Sequence, residues 1–314
     1  MPPAAITLIV PGFDVAAYAE EAIDSLRRQT RGDWTAVLID DASTDATGRL
    51  FDAAAARDER FRVVHHASRR GLGAARNAGL DAVDTPYLGF LDADDILTDR
   101  ALESLLGTLE ETGSDFVVGA YVRLKPDAGG AYSPGVVQPW VAAATAPAQR
   151  GTTIEAHPEA SGNIVAWSKV ARTDFWRRAG LRFPEGKLYE DQIVAARMYA
   201  QSRRFDTVPD VIVHWRERAD GSSITQGKGT VPVLHDYLEA MTGGIAVFEA
   251  SGHRSAVRAR VRLIQDMDLP PLVEIARTHP DDAYRRALGA FARDLGSRAA
   301  DVTPSAAASA AALW

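Results

Sequence analysis

The sequence predicts an α/β protein with a mainly parallel sheet flanked by helices, followed by a helical C-terminal extension. Three observations predict it. Short apolar, β-branched runs alternate with amphipathic stretches in units of about 30 residues, as in crossover-connected parallel strands. Polar clusters at 11–14, 40–45 and 92–95 fall at the ends of those runs, where such sheets bind ligands. From position 231 onward only helical patterns appear.

The elements follow in order. ITLIV at 6–10, closed by Pro11 and Gly12, reads as a strand buried on both faces. Residues 18–29 carry Tyr18, Ala22, Ile23 and Leu26 on one helical face, before the turn at Arg31 and Gly32. WTAVLIDD at 34–41 is a second strand, 44–57 a second helix and FRVVHH at 61–66 a third strand. Residues 71–82 read as loop and helix, YLGFLDADD at 87–95 as a fourth strand, 100–111 as a helix and 115–124 as another strand.

The pattern weakens at 125–162, which is rich in Pro, Gly and Ala; long connections of this kind are functional or mobile. Residues 167–178 and 191–202 are expected as helices around FPEGKLYEDQ, and 208–214 as a late strand. Helices are expected at 232–250, 253–266 and 281–295. The implied organisation is an α/β domain over 1–228, a helical extension over 229–303, and an Ala-rich tail over 304–314 expected to fray.

Composition excludes several classes. A net charge of −7 argues against a general nucleic-acid surface, which needs a basic stripe to displace counterions. With no cysteine, disulfides and thiolate metal sites are excluded, so a bound metal relies on carboxylate or imidazole, favouring Mg²⁺ or Mn²⁺. The start MPPAAITLIVPGF lacks a basic segment, and its apolar run is too short for a signal peptide or membrane span. The expectation is cytoplasmic, at most at the inner face of the membrane.

Each acidic cluster alone is compatible with ordinary turn and cap chemistry. Their joint placement is less ordinary. Asp92 and Asp94 stand two apart at a strand end, so in extended geometry they share a face, and a divalent ion between them would remove their repulsion. Asp95 and Asp99 are then free to cap the next helix.

Five ordered motifs carry a resemblance: LIVPGFDVAAYAEEAIDSLRRQT, VLIDDASTDAT, GLGAARNAGLDAV, YLGFLDADD and LYEDQ. Over about the first 225 residues the chain resembles the inverting family 2 glycosyltransferases of GT-A fold, which use nucleotide-sugar donors. The resemblance implies that Pro11 and Asp41 line a nucleobase pocket with Asp40 close by, and that Arg76 sits near the base or diphosphate. Asp92 would approach ribose and metal, and Asp94 would bind the metal. Gly12 stands where the family has a side chain, and Asp14 where it has Asn. LYEDQ implies Asp191 as catalytic base with Glu190 beside it; an acidic N-cap for the helix from Gln192 is the bland alternative.

HWRERADGSSIT, at 214–225, resembles a loop that follows the base in this family. There Arg216, Arg218, Ser222 and Ser223 are candidates for phosphate contacts, and His214 for a metal ligand or a structural hydrogen bond. Trp167, Trp176 and Trp215 are candidates for a sugar platform or for core. Arg254, Arg258, Arg260 and Arg262 would steer a phosphate-rich acceptor or form a solvated face.

The implied activity is metal-dependent transfer of a sugar from a nucleotide donor, with UDP-sugars favoured, to a hydroxyl acceptor such as a glycan, a polyol-phosphate or a lipid-linked chain. The match around LYEDQ and GSSIT is similar to transferase domains of teichoic-acid-like or capsular polymer synthesis. Peripheral membrane association and a homo-oligomer through the C-terminal helices are compatible partner arrangements. Two rivals remain: a non-catalytic GT-A-like scaffold, and a nucleotidyltransferase, for which VPGFDV lacks the basic Gly-rich loop.

Overall fold

The computed structural model describes residues 4–127, 129–219 and 227–314. The N-terminal half opens with β1 (Ile6–Gly12), α1 (Ala16–Arg27), β2 (Trp34–Asp40), α2 (Thr47–Arg57), β3 (Phe61–His65), α3 (Leu72–Asp81) and β4 (Tyr87–Phe90). Next come β5 (Ile96–Leu97), α4 (Ala101–Thr112), β6 (Phe116–Pro126), β7 (Tyr132–Pro134), α5 (Pro139–Thr145) and β8 (Gln149–Thr152). The sheet is completed by β9 (Lys169–Arg172), α6 (Thr173–Arg178), α7 (Asp191–Gln201) and β10 (Phe205–Arg216).

The strands form one mixed sheet in the order β3-β2-β1-β4-β9-β6-β10-β5, with β7 beside β6 and β8 beside β10. Ladders are parallel between β1 and β2, β2 and β3, β1 and β4, and β6 and β10. The β1 strand is buried along its whole length, as its unbroken apolar run requires. Its register sets Gly12 opposite Asp40 and Ile9 opposite Phe90, so the ends of β1, β2 and β4 open onto one edge.

Three expectations fail in and beside the middle of the sheet. Residues 167–178 are not one helix: a 3-10 turn at Ala166–Ser168 leads into β9, which runs antiparallel between β4 and β6, and only then into α6. Val170 and Ala171 are buried between those neighbours, and sheet pairing overrides the helical spacing of their side chains. The fourth strand stops at Phe90, and Asp95 N–H closes a turn on the Asp92 carbonyl at 2.9 Å. Asp92 and Asp94 therefore project from a turn, not from one face of a strand. Neither Asp95 nor Asp99 caps α4, whose N-cap is Arg100.

The C-terminal helices are α8 (Val231–Ala250), α9 (Arg254–Leu263), α10 (Leu269–Thr278), α11 (Asp282–Arg298) and α12 (Ala306–Ala311), with a π turn at Ile264–Asp268. α8 packs along α7, and α9 lies on the 3-10 turn Pro158–Gly162. Buried apolar side chains of sheet and C-terminal helices form one cluster. The Ala-rich end, expected to fray, is held: Ser305 Oγ accepts from Ala308 N–H at 3.2 Å, and Ala308 and Ala311 are buried in contact with α10 and α11. Small side chains let this short helix sit close. Among the described residues, no helix is long and apolar enough to cross a membrane.

Candidate active site

The loop after β1 is shaped by close packing. A Cβ on Gly12 would come within 2.8 Å of the Phe51 ring, which explains the missing side chain there. Asp14 has a left-handed backbone (φ +48°), and its carboxylate accepts from Thr44 N–H at 2.7 Å. Asp41, just past β2, accepts from Arg70 and Gly71 N–H at 2.9 and 2.7 Å and pairs with His66 Nδ1 at 2.6 Å. Its carboxylate thus fixes the loop that leads into α3. Asp40 instead turns to Ser43 N–H and His65 Nδ1, both at 2.9 Å. Burial would raise its pKa, but those bonds outweigh it and lower the value.

α3 carries Arg76 into the interior. Gly73 permits this approach, since a Cβ there would lie 2.1 Å from the Pro184 carbonyl oxygen. The Arg76 guanidinium is buried; Nη2 donates to Asp92 Oδ1 at 2.7 Å and Nη1 to Glu190 Oε1. It acts as a strut between two acidic segments, with Nε unpaired.

The 92–95 turn is tied from the other side by β10. Arg218 Nε donates to Asp94 Oδ2, and Arg216 Nε to the Asp94 carbonyl, both at 2.8 Å; Arg216 N–H donates to Asp95 Oδ1 at 2.8 Å. Burial, then the Asp92 charge, raises the pKa of Asp94, with Arg218 opposing. Burial and the adjacent Asp94 push Asp95 well above the usual carboxylate range, and its Oδ2 has no partner.

α7 begins at Asp191, with Glu190 as N-cap residue. Glu190 makes no capping hydrogen bond, and Asp191 lies in the first turn of the helix. Tyr189 before them has a left-handed backbone (φ +58°), a strain that non-glycine residues carry mainly at functional positions. Burial pushes Glu190 up to about 7 against the pull of Arg76. Burial likewise raises Asp191, with Arg76 and Lys169 opposing and Asp92 adding.

These segments meet in a cleft of about 530 Å³. Of the residues singled out in the sequence, Pro11, Asp14, Asp41, Arg76, Asp92, Asp94, Glu190 and Asp191 line it, with Trp167, Trp215 and Arg218. Asp40, His214 and Arg216 do not line it. His214 lies in β10, opposite Val122 and Ile96, and burial lowers its pKa. Arg216 is spent on Asp94, Asp95 and Glu21. Ser222 and Ser223 lie outside the described residues. Trp176 packs on Phe90 and Phe183 in the core.

Sequence reasoning missed Phe13, Arg69 and Tyr189. Arg69 stands 3.9 Å from the Phe13 ring centroid, both lining the cleft, a pair that no local spacing announces.

Among the described residues, seven carboxylates and three guanidinium groups line the cleft. No group of three or more His, Cys, Asp or Glu side chains is placed to hold a metal by itself among them. Asp92 and Asp94 nevertheless offer two hard oxygen donors in acid surplus, which fits a divalent cation completed by ligand oxygens.

Residues 7–147 match the family model described as Glycosyl transferase family 2. The chain is 28% identical over 235 residues to the uncharacterized glycosyltransferase EpsJ of Bacillus subtilis, covering 74% of this chain and 66% of EpsJ. The chain therefore spans just under two thirds of that relative. It is 25% identical over 266 residues to the glycosyltransferase GlyG of Streptococcus pneumoniae, covering 83% and 87% of the two. Its fold is similar to residues 1–349 of Staphylococcus aureus TarS, solved in complex with UDP-GlcNAc, with a TM-score of 0.74 at 19% identity over 95% of this chain and 83% of that one. The GT-A fold expected from the motifs is the fold found, with the C-terminal helices present.

Proposed function

We propose that the chain is an inverting, metal-dependent glycosyltransferase that moves a sugar from a UDP-sugar to a hydroxyl of a cell-envelope glycan or polyol-phosphate polymer. The observation that carries the reading is the acid surplus of a cleft with the 92–95 turn on one side and Asp191 on another. A nucleotide diphosphate is itself an anion, so it enters such a cleft only with a cation. Asp92 and Asp94 would hold Mn²⁺ or Mg²⁺, which supplies Lewis-acid stabilisation of charge on the leaving diphosphate.

Asp191 then takes the proton of the acceptor hydroxyl as its oxygen forms the new bond to the anomeric carbon and the bond to the diphosphate breaks. Burial raises its pKa, which makes it a stronger base than an exposed carboxylate. Arg76 holds Glu190 and Asp92 apart from that proton transfer. The UDP-GlcNAc bound to TarS supports UDP as the donor nucleotide. Residues 1–228 would be the transferase domain, with 229–314 buttressing α7.

The test is sugar transfer from a panel of labelled UDP-sugars, with Asp191→Asn beside the natural protein. The reading predicts a loss of about 10²–10⁴ in kcat with donor binding kept. Full turnover in the variant would remove Asp191 as base.

A further inference from the structure

The buried ammonium of Lys169 plays no part in the chemistry described so far. It opens β9 at the centre of the sheet and is almost fully buried. Nζ donates to the carbonyl oxygens of Asn163 (2.8 Å) and Val165 (2.6 Å), to Asn163 Oδ1 (2.9 Å) and to Ser168 Oγ (3.2 Å). All four acceptors are neutral. A cation held this deep on neutral oxygens needs an anion nearby.

Asp191 fills that need. It lines both the active-site cleft and a narrow cavity of about 10 Å³ lined also by Phe90, Trp176, Phe183, Met198 and Lys169. That space is too small for a sugar. Among the described residues, Arg76, Asp92, Glu190, Lys169, Tyr121 and Tyr189 act electrostatically with Asp191. Arg76 is committed to Glu190 and Asp92, which leaves Lys169 as the cation without an anionic hydrogen-bond acceptor. The aromatic ring of Tyr199 lies 5.8 Å from Nζ.

We propose that Lys169 is a positioning residue for the base: anchored by the 163–168 segment and lining, with Asp191, the narrow cavity behind the cleft, it supplies the cation that holds that carboxylate toward the cleft wall formed by Val165 and Trp167. The inference rests on Asp191 acting as base. Burial pushes the ammonium down to about 7, with Asp191 holding it up.

Two measurements test it. NMR titration of the Lys169 ammonium, in the natural protein and in Asp191→Asn, should show its pKa falling in the variant, because the opposing charge is gone. This requires no substitution at Lys169. The pH profile of kcat/KM for Lys169→Met should show the acid limb moved up by about one unit or more. Lys169→Arg, which keeps the charge, should leave the limb near its natural position. An ammonium titration indifferent to Asp191→Asn overturns the pairing. A Lys169→Met enzyme with lowered kcat but an unmoved limb overturns the positioning role and leaves only a structural one. Full turnover by Asp191→Asn, with the ammonium titration still displaced, would show that the base assignment had failed while the pair exists, and would overturn the role proposed here.

Discussion

Arg76 Nη2 donates to Asp92 Oδ1 at 2.7 Å, while Nη1 of the same guanidinium reaches Glu190. One buried side chain on α3 thus joins the turn after β4 to the start of α7, about a hundred residues apart in sequence. Arg76→Met would leave two carboxylates facing each other in the interior. Breaking a buried pair of this kind costs about 3–5 kcal/mol. Denaturant unfolding checks it; a variant as stable as the natural protein would mean that the strut carries no weight.

Glu190 gives stability a pH dependence. Its pKa in the folded chain is pushed up to about 7 by burial, above the ordinary 4.5, so the native state binds the extra proton between those values. Stability from this group is full below the unfolded value and is lost as pH rises through about 7. Glu190→Gln should flatten that decline. The midpoint of urea unfolding, followed from pH 5 to pH 8, measures it. An identical slope in both proteins would contradict the assignment.

The motifs placed Asp92, Asp94 and Asp191 in the cleft because residue type, order and strand ends all pointed one way. What stayed hidden depends on partners distant in sequence. Arg216 reads as a phosphate ligand until β10 is laid beside the 92–95 turn, where its donors go to Asp94 and Glu21. Lys169 sits in a stretch whose spacing suggests a helix, and only the pairing of β9 with β4 and β6 reveals a central strand. The packing of the Ala-rich tail was equally illegible, since small residues announce no face until their neighbours are known.

Arg216 should therefore matter through the turn it braces. Arg216→Met leaves the Asp94 carbonyl and Glu21 without their donors, at a cost of about 1–3 kcal/mol. Metal-dependent UDP binding should weaken with it. Unchanged stability together with lost UDP binding would instead return Arg216 to the phosphates.

His214 lies away from the cleft, so His214→Asn should leave the Mn²⁺ concentration giving half-maximal turnover unchanged within about threefold. A tenfold rise would place the imidazole in the metal's shell.

In the function proposed here, a cation held by Asp92 and Asp94 admits a nucleotide diphosphate to the acid-lined cleft. Calorimetric titration with UDP, GDP and CDP, each with and without Mn²⁺, tests it most directly. Binding of UDP should need Mn²⁺ and disappear in Asp94→Ala. No binding of any nucleotide with or without the metal would contradict it and leave a GT-A scaffold without a donor.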